Sequence, residues 1–245
     1  MMKSMTVTSK SFILINIGNT NTNIYSSDGL GLSDHQKVST EAFLARKNLY
    51  DATVIVSSVV KEFLPSIIAD NIFIVDCEKN LGFTIDSDIA IETVGADRLA
   101  NLAFLAENKL PAISIDIGTA ITYEILDENA TLVGGGIAPG RKLMSKGLNI
   151  GTSLLPEVEL NNELNILAKT TNTAIISGIN HMVLGFVELL IRELLEQYPE
   201  ATFYLAGGDT SWLLPKLKEY PISYEPDMTL KGMLRVYSLN TKENK

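Results

Sequence analysis

Residues 112–126 read Ala-Ile-Ser-Ile-Asp-Ile-Gly-Thr-Ala-Ile-Thr-Tyr-Glu-Ile-Leu, and the rest of the chain is organised around this segment. Isoleucines at every second position as far as Ile117 predict a sheet strand. Asp116 falls near the end of that strand, Gly118 comes where the chain must turn, and a second alternating run follows. The segment therefore predicts a hairpin with a carboxylate on its first strand and hydroxyl groups at its turn.

Two interpretations of this hairpin are possible from the residues alone. In the first, backbone N–H groups and threonine hydroxyls of the turn approach a phosphate, and Asp116 holds a cation that the phosphate also touches. In the second, Asp116 is an ordinary turn residue and the hairpin has only a structural role.

A second copy of the pattern lies one hundred residues earlier, where residues 13–25 read Ile-Leu-Ile-Asn-Ile-Gly-Asn-Thr-Asn-Thr-Asn-Ile-Tyr. In an overlay without gaps, residues 15–18 fall on residues 115–118, and Thr22 falls on Thr122. Two such hairpins, one opening each half of the chain, predict a duplicated fold with two loops that face phosphate.

Composition and charge narrow the class of protein. The chain has 245 residues, of which 46% are hydrophobic and 20% charged, as in folded globular proteins. Its net charge of −9 argues against nucleic acid or an anionic membrane as a partner, because both attract a basic surface. No segment reaches the roughly 20 apolar residues of a membrane helix, and the lone Cys77 cannot form an internal disulfide. These features predict a cytoplasmic protein.

Asp97 and Arg98 fall at the start of a predicted helix, because the leucines and alanines after them recur at helical spacing. Asp97 is either a cap stabilised by the positive helix end or a catalytic carboxylate. Arg98 is either a clamp for an anion or half of a solvent-exposed ion pair.

Further elements follow from glycine patterns and apolar spacing. Residues 132–140 predict a tight bend open to a ligand, or a glycine bulge at a sheet edge. Residues 206–209 predict a strand–Gly-Gly–helix turn, which can pack against a nucleotide or simply make a close crossing. The remaining predictions are a turn region at 26–39, a short helix at 61–69, a long helix at about 174–197 capped by 170–173, and a last helix at 230–239.

Four segments in this order resemble the type III pantothenate kinases of the actin and sugar-kinase superfamily: residues 16–20, 95–98, 116–120 with 134–140, and 205–208. The resemblance implies an α/β protein of two ribonuclease-H-like (actin-like ATPase) domains, residues 1–110 and 111–245. Mixed sheets flanked by helices would form each domain, with the active site in the cleft between them.

The same resemblance implies a function. Such kinases phosphorylate pantothenate with ATP, in the first step of coenzyme A biosynthesis. They use Mg²⁺ and a monovalent cation, K⁺ or NH₄⁺, and work as homodimers.

Site residues follow from the resemblance by position. Asp97 would be the general base, and Asp116 would hold the monovalent cation. Pantothenate would be bound by Gly95, Ala96, Asp97, Arg98 and Thr171. ATP would be bound by Asn16, Ile17, Gly18, Asn19, Thr20, Asn21, Thr22, Asn23 and Thr119.

The chain departs from the family pattern at four positions. Asn16 replaces an aspartate and Asn23 a lysine, while Asp88 stands where a tyrosine is common and Glu124 where an aspartate is common. The first two changes remove charges near Mg·ATP, which can cost several kcal/mol of transition-state stabilisation. Two alternatives to a pantothenate kinase therefore stay open: a catalytically weakened homologue that binds pantothenate or nucleotide in a regulatory or partner-binding role, and a kinase for another small molecule.

Overall fold

The structure is a computed structural model that describes residues 12–28 and 31–241. These residues divide into two compact units. Unit 1 takes in the chain up to Gly82, Ala90–Phe104 and the residues from Met228 onward, whereas unit 2 takes in Phe83–Ile89 and Leu105–Asp227. The two units are interleaved along the chain, and a domain boundary at residue 110 stays a prediction.

Strands and helices alternate along both units. The strands are β1 (Phe12–Ile17), β2 (Asn21–Ser27), β3 (Leu32–Ser39), β4 (Asn48–Ser58), β5 (Ile67–Ile74), β6 (Thr84–Ile85), β7 (Ala112–Ile117), β8 (Ala120–Leu126), β9 (Thr131–Pro139), β10 (Thr202–Ala206) and β11 (Ile222–Tyr224). The helices are α1 (Thr40–Leu44), α2 (Ala96–Leu105), α3 (Arg141–Gly151), α4 (Thr171–Gln197) and α5 (Met228–Thr241).

The two sheets repeat one strand order. Unit 1 has the order β3-β2-β1-β4-β5, and unit 2 has β9-β8-β7-β10-β11 with β6 added beside β9. In both, the first strand pairs antiparallel with the second and parallel with the fourth. The predicted α/β class and the duplicated ribonuclease-H-like (actin-like ATPase) architecture are therefore confirmed.

The two hairpins differ by one residue in their turns. Asn16 pairs with Asn23 in the first hairpin, whereas Asp116 pairs with Thr122 in the second. The overlay without gaps is therefore wrong beyond the turn, because the counterpart of Thr122 is Asn23 and not Thr22. Apolar spacing fixes the first strand of each copy, but the turn length sets the register of the second.

Helices cover apolar residues on both faces of the sheet in unit 1 and on one face of the sheet in unit 2. In unit 1, Phe43 of α1 is fully buried with β-branched residues of β1 and β4, and Tyr237 of α5 contacts Phe12 and Phe73 edge-on at 5.2 Å between ring centroids. In unit 2, α4 packs on β7 and β10 through the fully buried Val183, Val187 and Ile191. These cores hold the hairpins in place.

Helix α4 is, among the described residues, the one helix long and apolar enough to cross a membrane. The expectation that no segment would reach this length is therefore wrong. Half of its most apolar window is buried within the protein, and its N-terminus has the predicted cap, in which Thr170 and Thr173 form a reciprocal capping box. The buried side of α4 makes it a core element of unit 2.

Two predictions in unit 1 are wrong. Residues 32–39 form the edge strand β3 rather than a turn, and an exposed edge strand lacks the apolar alternation that would have predicted it. Residues 61–69 form a 3₁₀ turn at Leu64–Ser66 and the start of β5, because the β-branched Ile67 and Ile68 pair with β4 instead of continuing the turn.

Two predictions in unit 2 are also wrong. Residues 131–139 form the strand β9, so the tight bend is wrong. The alternative of a bulge is confirmed, because the pairing of β9 with β8 shifts register at Val133, next to the glycine run. After β10, the glycine turn leads only to a 3₁₀ turn at Leu214–Lys216 and not to a helix.

Candidate functional site

The β1–β2 hairpin of unit 1 contains the predicted ATP-binding residues 16–23. Thr40, the first residue of α1, holds this turn: its hydroxyl donates to the Gly18 carbonyl at 2.7 Å, and its backbone N–H donates to the Thr20 carbonyl at 3.0 Å. The hydroxyl of Thr22 lies 3.1 Å from that of Thr40. The turn is therefore fixed by hydrogen bonds within unit 1.

Asn16 and Asn23, the two asparagines that replace charged residues of the family pattern, lie side by side. They are directly paired across β1 and β2, and Asn16 is also in register with Ser57 on β4. The Asn23 side-chain oxygen lies 3.1 Å from Nε2 of His35 on β3. Both departures thus fall at one place in the sheet of unit 1.

Asp97 lies in the first turn of α2, as predicted, and its side chain is half-buried. Its Oδ1 accepts a hydrogen bond from the Arg98 backbone N–H at 2.8 Å. Burial raises the pKa of Asp97 above its ordinary value, although the Arg98 N–H and guanidinium act in the opposite direction. A carboxylate with a raised pKa is better suited to accept a proton near neutral pH.

Gly95 gives the Asp97 carboxylate its space. A Cβ atom at Gly95 would lie 2.7 Å from Asp97 Oδ1 and 3.3 Å from Cγ1 of Val59. Within unit 1 the structure therefore brings together the Gly95, Ala96, Asp97 and Arg98 segment as one compact corner at the start of α2.

Asp116 of unit 2 lies at the end of β7 against the glycine turn that follows β10. Its strand neighbours are Thr122 on β8 and Ala206 on β10. A Cβ atom at Gly207, whose φ is +93°, would come within 2.5 Å of Asp116 Oδ1 and would collide with the Ile117 carbonyl. The glycine turn is therefore in close contact with the carboxylate.

Thr119 joins this group from the β7–β8 turn. Its carbonyl accepts a hydrogen bond at 3.0 Å from the N–H of Gly140, which follows the glycine-rich strand β9 and caps α3. Two of the four segments that resemble the kinase family in sequence meet at this edge of unit 2: residues 116–120 with 134–140, at the β7–β8 turn and the end of β9, and residues 205–208, at the turn after β10.

Three other residues singled out from the sequence lie elsewhere in unit 2. Thr171 is the exposed first residue of α4, next to the cap formed by Thr170 and Thr173. Asp88 is exposed in the segment before α2. Glu124 is fully buried on β8 and accepts a hydrogen bond from Ser114 of β7.

An ion pair that the sequence did not reveal stabilises the same edge of unit 2. Arg141, buried at the start of α3, donates two hydrogen bonds to the Asp209 carboxylate and stacks over Trp212 at 4.6 Å from the ring centroid. Its Nη1 donates to Asn180 Oδ1 of α4 at 2.9 Å and to the Asn161 carbonyl at 3.0 Å. The only sequence signal was an aspartate after two glycines, because the partners are far apart in the chain.

The oxygen ligands in this region suit a cation that phosphate also binds better than a metal ion held by protein side chains alone. Residues 12–28 and 31–241 contain no cluster of three or more His, Cys, Asp or Glu side chains arranged to hold a metal ion. Mg²⁺ with ATP needs only one or two carboxylates, because phosphate oxygens and water complete its coordination. Asp116 is a hard oxygen ligand of the kind that such a cation accepts.

We predict that Gly207→Ala destabilises unit 2. Alanine would have to adopt a positive φ and would collide with backbone at the Ile117 carbonyl, so the free energy of unfolding should fall by about 1–3 kcal/mol. Urea denaturation measures this change. Gly208→Ala is the matched control, because a Cβ there meets no atom within 4 Å, and equal losses in both variants would contradict the prediction.

Comparisons with known proteins identify the family. The model of the family described as type III pantothenate kinase matches residues 12–193. A type III pantothenate kinase from Phocaeicola vulgatus is 36% identical over 155 residues, which cover 62% of this chain and 63% of that protein, less than two thirds of its length. Another, from Finegoldia magna, is 27% identical over 259 residues, which cover 94% of this chain and 98% of that protein.

Among solved structures, a Baf family protein from Campylobacter jejuni superposes with a TM-score of 0.62. It is 22% identical in sequence, and the superposition covers 94% of this chain and all of that one, which shows a shared fold. Since the family match covers both hairpins, the corner at the start of α2 and most of α4, the chain belongs to the type III pantothenate kinase family.

Proposed function

We propose that this protein phosphorylates pantothenate with ATP to give 4′-phosphopantothenate, the first step of coenzyme A biosynthesis. The observation that carries the proposal is the half-buried Asp97 carboxylate with its raised pKa, which lies within the matched family region. The pantothenate specificity itself comes from the family, because a raised pKa alone would suit many acceptors.

The corner at the start of α2 would bind and activate the acceptor. Asp97 would take the proton from the pantothenate hydroxyl as its oxygen attacks the γ-phosphorus, while the bond to the β–γ bridging oxygen breaks and ADP leaves. Arg98 would pair with the pantothenate carboxylate, and Gly95, Ala96 and Thr171 would complete the contacts.

The phosphate donor would be held by the two hairpins. Residues 16–23 and Thr119 would contact ATP through backbone N–H and hydroxyl groups. Asp116 would hold a monovalent cation, K⁺ or NH₄⁺, and Mg²⁺ would come with the nucleotide. When bound, these cations would neutralise part of the negative charge on the transferred phosphoryl group.

A second candidate function is a weakened homologue that binds pantothenate or nucleotide in a regulatory or partner-binding role. Asn16 and Asn23 favour it, because the first hairpin lacks both charges at these paired positions. Calorimetry that detects pantothenate binding but no MgATP binding would support this alternative over the kinase. A kinase for another small molecule would be recognised by turnover in a panel of acceptors.

We also propose that the protein is a cytoplasmic homodimer that assembles through α3 and α4. Ile150, Leu154 and Met182 are 73%, 91% and 62% exposed, and they lie on or beside helices that border an apolar groove. The family resemblance is what names a second copy as the partner. Burial of such side chains is favourable by about 25 cal/mol per Å² of apolar surface.

We predict that Met182→Asp shifts this dimer towards monomer, because a carboxylate would then be buried at the apolar contact. Sedimentation velocity at several protein concentrations measures the change. Leu49→Asp, at an exposed position of unit 1, is the control. A monomeric parent protein, or a dimer that Met182→Asp leaves intact, would contradict the prediction.

We predict that the parent protein releases ADP when pantothenate, MgATP and K⁺ are supplied, and that Asp97→Asn lowers kcat about 10²–10⁴-fold through loss of the base. A coupled ADP-release assay measures both. The parent kcat/KM should fall as the pH drops through the raised pKa of Asp97, above the usual range of aspartate.

We predict that Asp97→Asn affects the stability of the protein much less than its activity. The pKa of Asp97 is higher in the folded protein than in the unfolded chain, so its contribution is favourable at low pH and is lost as the pH rises through the folded value. Asp97→Asn should therefore leave the Tm at pH 7–8 unchanged or slightly higher.

The control for the activity assay is Glu92→Gln, an exposed change near Asp97, which should keep full turnover. A folded parent protein without turnover would refute the kinase proposal.

A further inference from the structure

The first hairpin binds an anion in the proposed function but contains no cation of its own. Residues 16–23 include neither lysine nor arginine, and the chain as a whole carries a net charge of −9. Triphosphate is strongly anionic, and backbone N–H groups alone give weaker binding than charge-assisted hydrogen bonds. Besides the metal ions, any positively charged side chain near this turn therefore has to come from another element.

The register of the sheet places a lysine at the required position. Asn23 on β2 is directly paired with Lys37 on β3 and, on its other side, with Asn16 on β1. Directly paired residues have Cα atoms about 4.5–5.5 Å apart and point to the same face of a sheet. Lys37, Asn23 and Asn16 thus form one row across three strands at the turn end of the hairpin.

The opposite face of these strands is a separate surface. Ile13, Ile24 and Gln36 line a groove there together with Arg46 and residues at the start of β4. Since side chains alternate along a strand, Lys37 points away from this groove and towards the side of Asn23. Lys37 is also exposed, so its ammonium group is accessible to a ligand.

His35 fixes the orientation of Asn23 within the row. Nε2 of His35 donates to the Asn23 side-chain oxygen at 3.1 Å, and the imidazole stacks on the Tyr25 ring with centroids 4.3 Å apart and planes 8° from parallel. With its oxygen engaged, Asn23 presents its amide N–H₂ group as the donor end of the side chain.

We propose that Lys37 and Asn23 are a phosphate-binding pair, in which the Lys37 ammonium supplies positive charge to the ATP phosphates, the Asn23 amide donates hydrogen bonds, and His35 acts as a positioning residue. The inference rests on the proposed function, because that function identifies the anion as ATP. The β1–β2 turn would supply the backbone N–H donors, and the edge strand β3 would supply the positive charge.

A lysine on an edge strand also has an ordinary role, since it prevents edge-to-edge pairing with another chain. The two roles differ in what they require. Protection of an edge needs a charge on the strand, whereas phosphate binding needs that charge on the Asn23 face.

The test moves the charge between faces while the net charge stays constant. MgATP binding to the full chain is measured by calorimetry for the parent, for Lys37→Ala, and for Lys37→Ala combined with either Asn23→Lys or Gln36→Lys. Asn23→Lys restores an ammonium on the same face one strand away, and Gln36→Lys restores it on the groove face. Circular dichroism and urea unfolding check that each variant is folded.

We expect Lys37→Ala to weaken MgATP binding about tenfold, as for loss of a charged hydrogen bond. Asn23→Lys should recover part of this loss, because it restores the charge on this face but removes the Asn23 amide, and Gln36→Lys should recover none of it. His35→Ala alone should weaken binding a few-fold. A parent that binds no MgATP, Lys37→Ala binding equal to the parent, or equal recovery by Gln36→Lys would overturn the inference.

The kinase proposal can fail independently. If the parent binds MgATP in the Lys37-dependent way but transfers no phosphate to pantothenate, the phosphate-binding pair stands and the proposed function fails. If the parent turns pantothenate over with the same KM for ATP as Lys37→Ala, the proposed function stands and the pair is refuted.

Discussion

The rest of this structure depends on one arrangement of strands. A hairpin turns at a glycine, and the first strand of the hairpin is hydrogen-bonded on its other side to a parallel strand. In unit 1 the strand β1 lies between antiparallel β2 and parallel β4, and in unit 2 β7 lies between β8 and β10 in the same way. Parallel strands end at the same edge of a sheet, and ligands of α/β proteins bind beyond such carboxyl ends. The turn after β10 therefore meets Asp116, and the row of Asn16 and Asn23 meets the end of β4.

The two copies of this arrangement have diverged in charge. Unit 2 keeps a carboxylate at Asp116, in close contact with Gly207. Unit 1 has neutral amides at the paired positions Asn16 and Asn23, and its nearest charge in register is Lys37 on the edge strand. Loss of charge at one residue does not by itself settle what a site can bind, because neighbouring strands present their side chains to the same surface.

The sequence predicted both hairpins, the helices α4 and α5, and the place of Asp97 in the first turn of α2, because each has strong periodic or glycine signals over a short span. It did not predict the exposed strand β3, whose residues carry no apolar alternation, or the one-residue difference between the turns, which depends on strand pairing. The ion pair of Arg141 with Asp209 was also missed, since it forms between distant segments that only the folded sheet brings together. The roles of Asp97, Asp116 and the hairpin residues stay predictions that rest on the family.

The central proposal is that each hairpin turn contacts the nucleotide through its backbone N–H groups. Hydrogen–deuterium exchange of the full chain with and without MgATP tests it most directly, because exchange reports on each backbone N–H group. The account predicts slower exchange at residues 18–21 and at residues 118–120 when MgATP is added. Unchanged exchange in either turn, with MgATP bound, would contradict it.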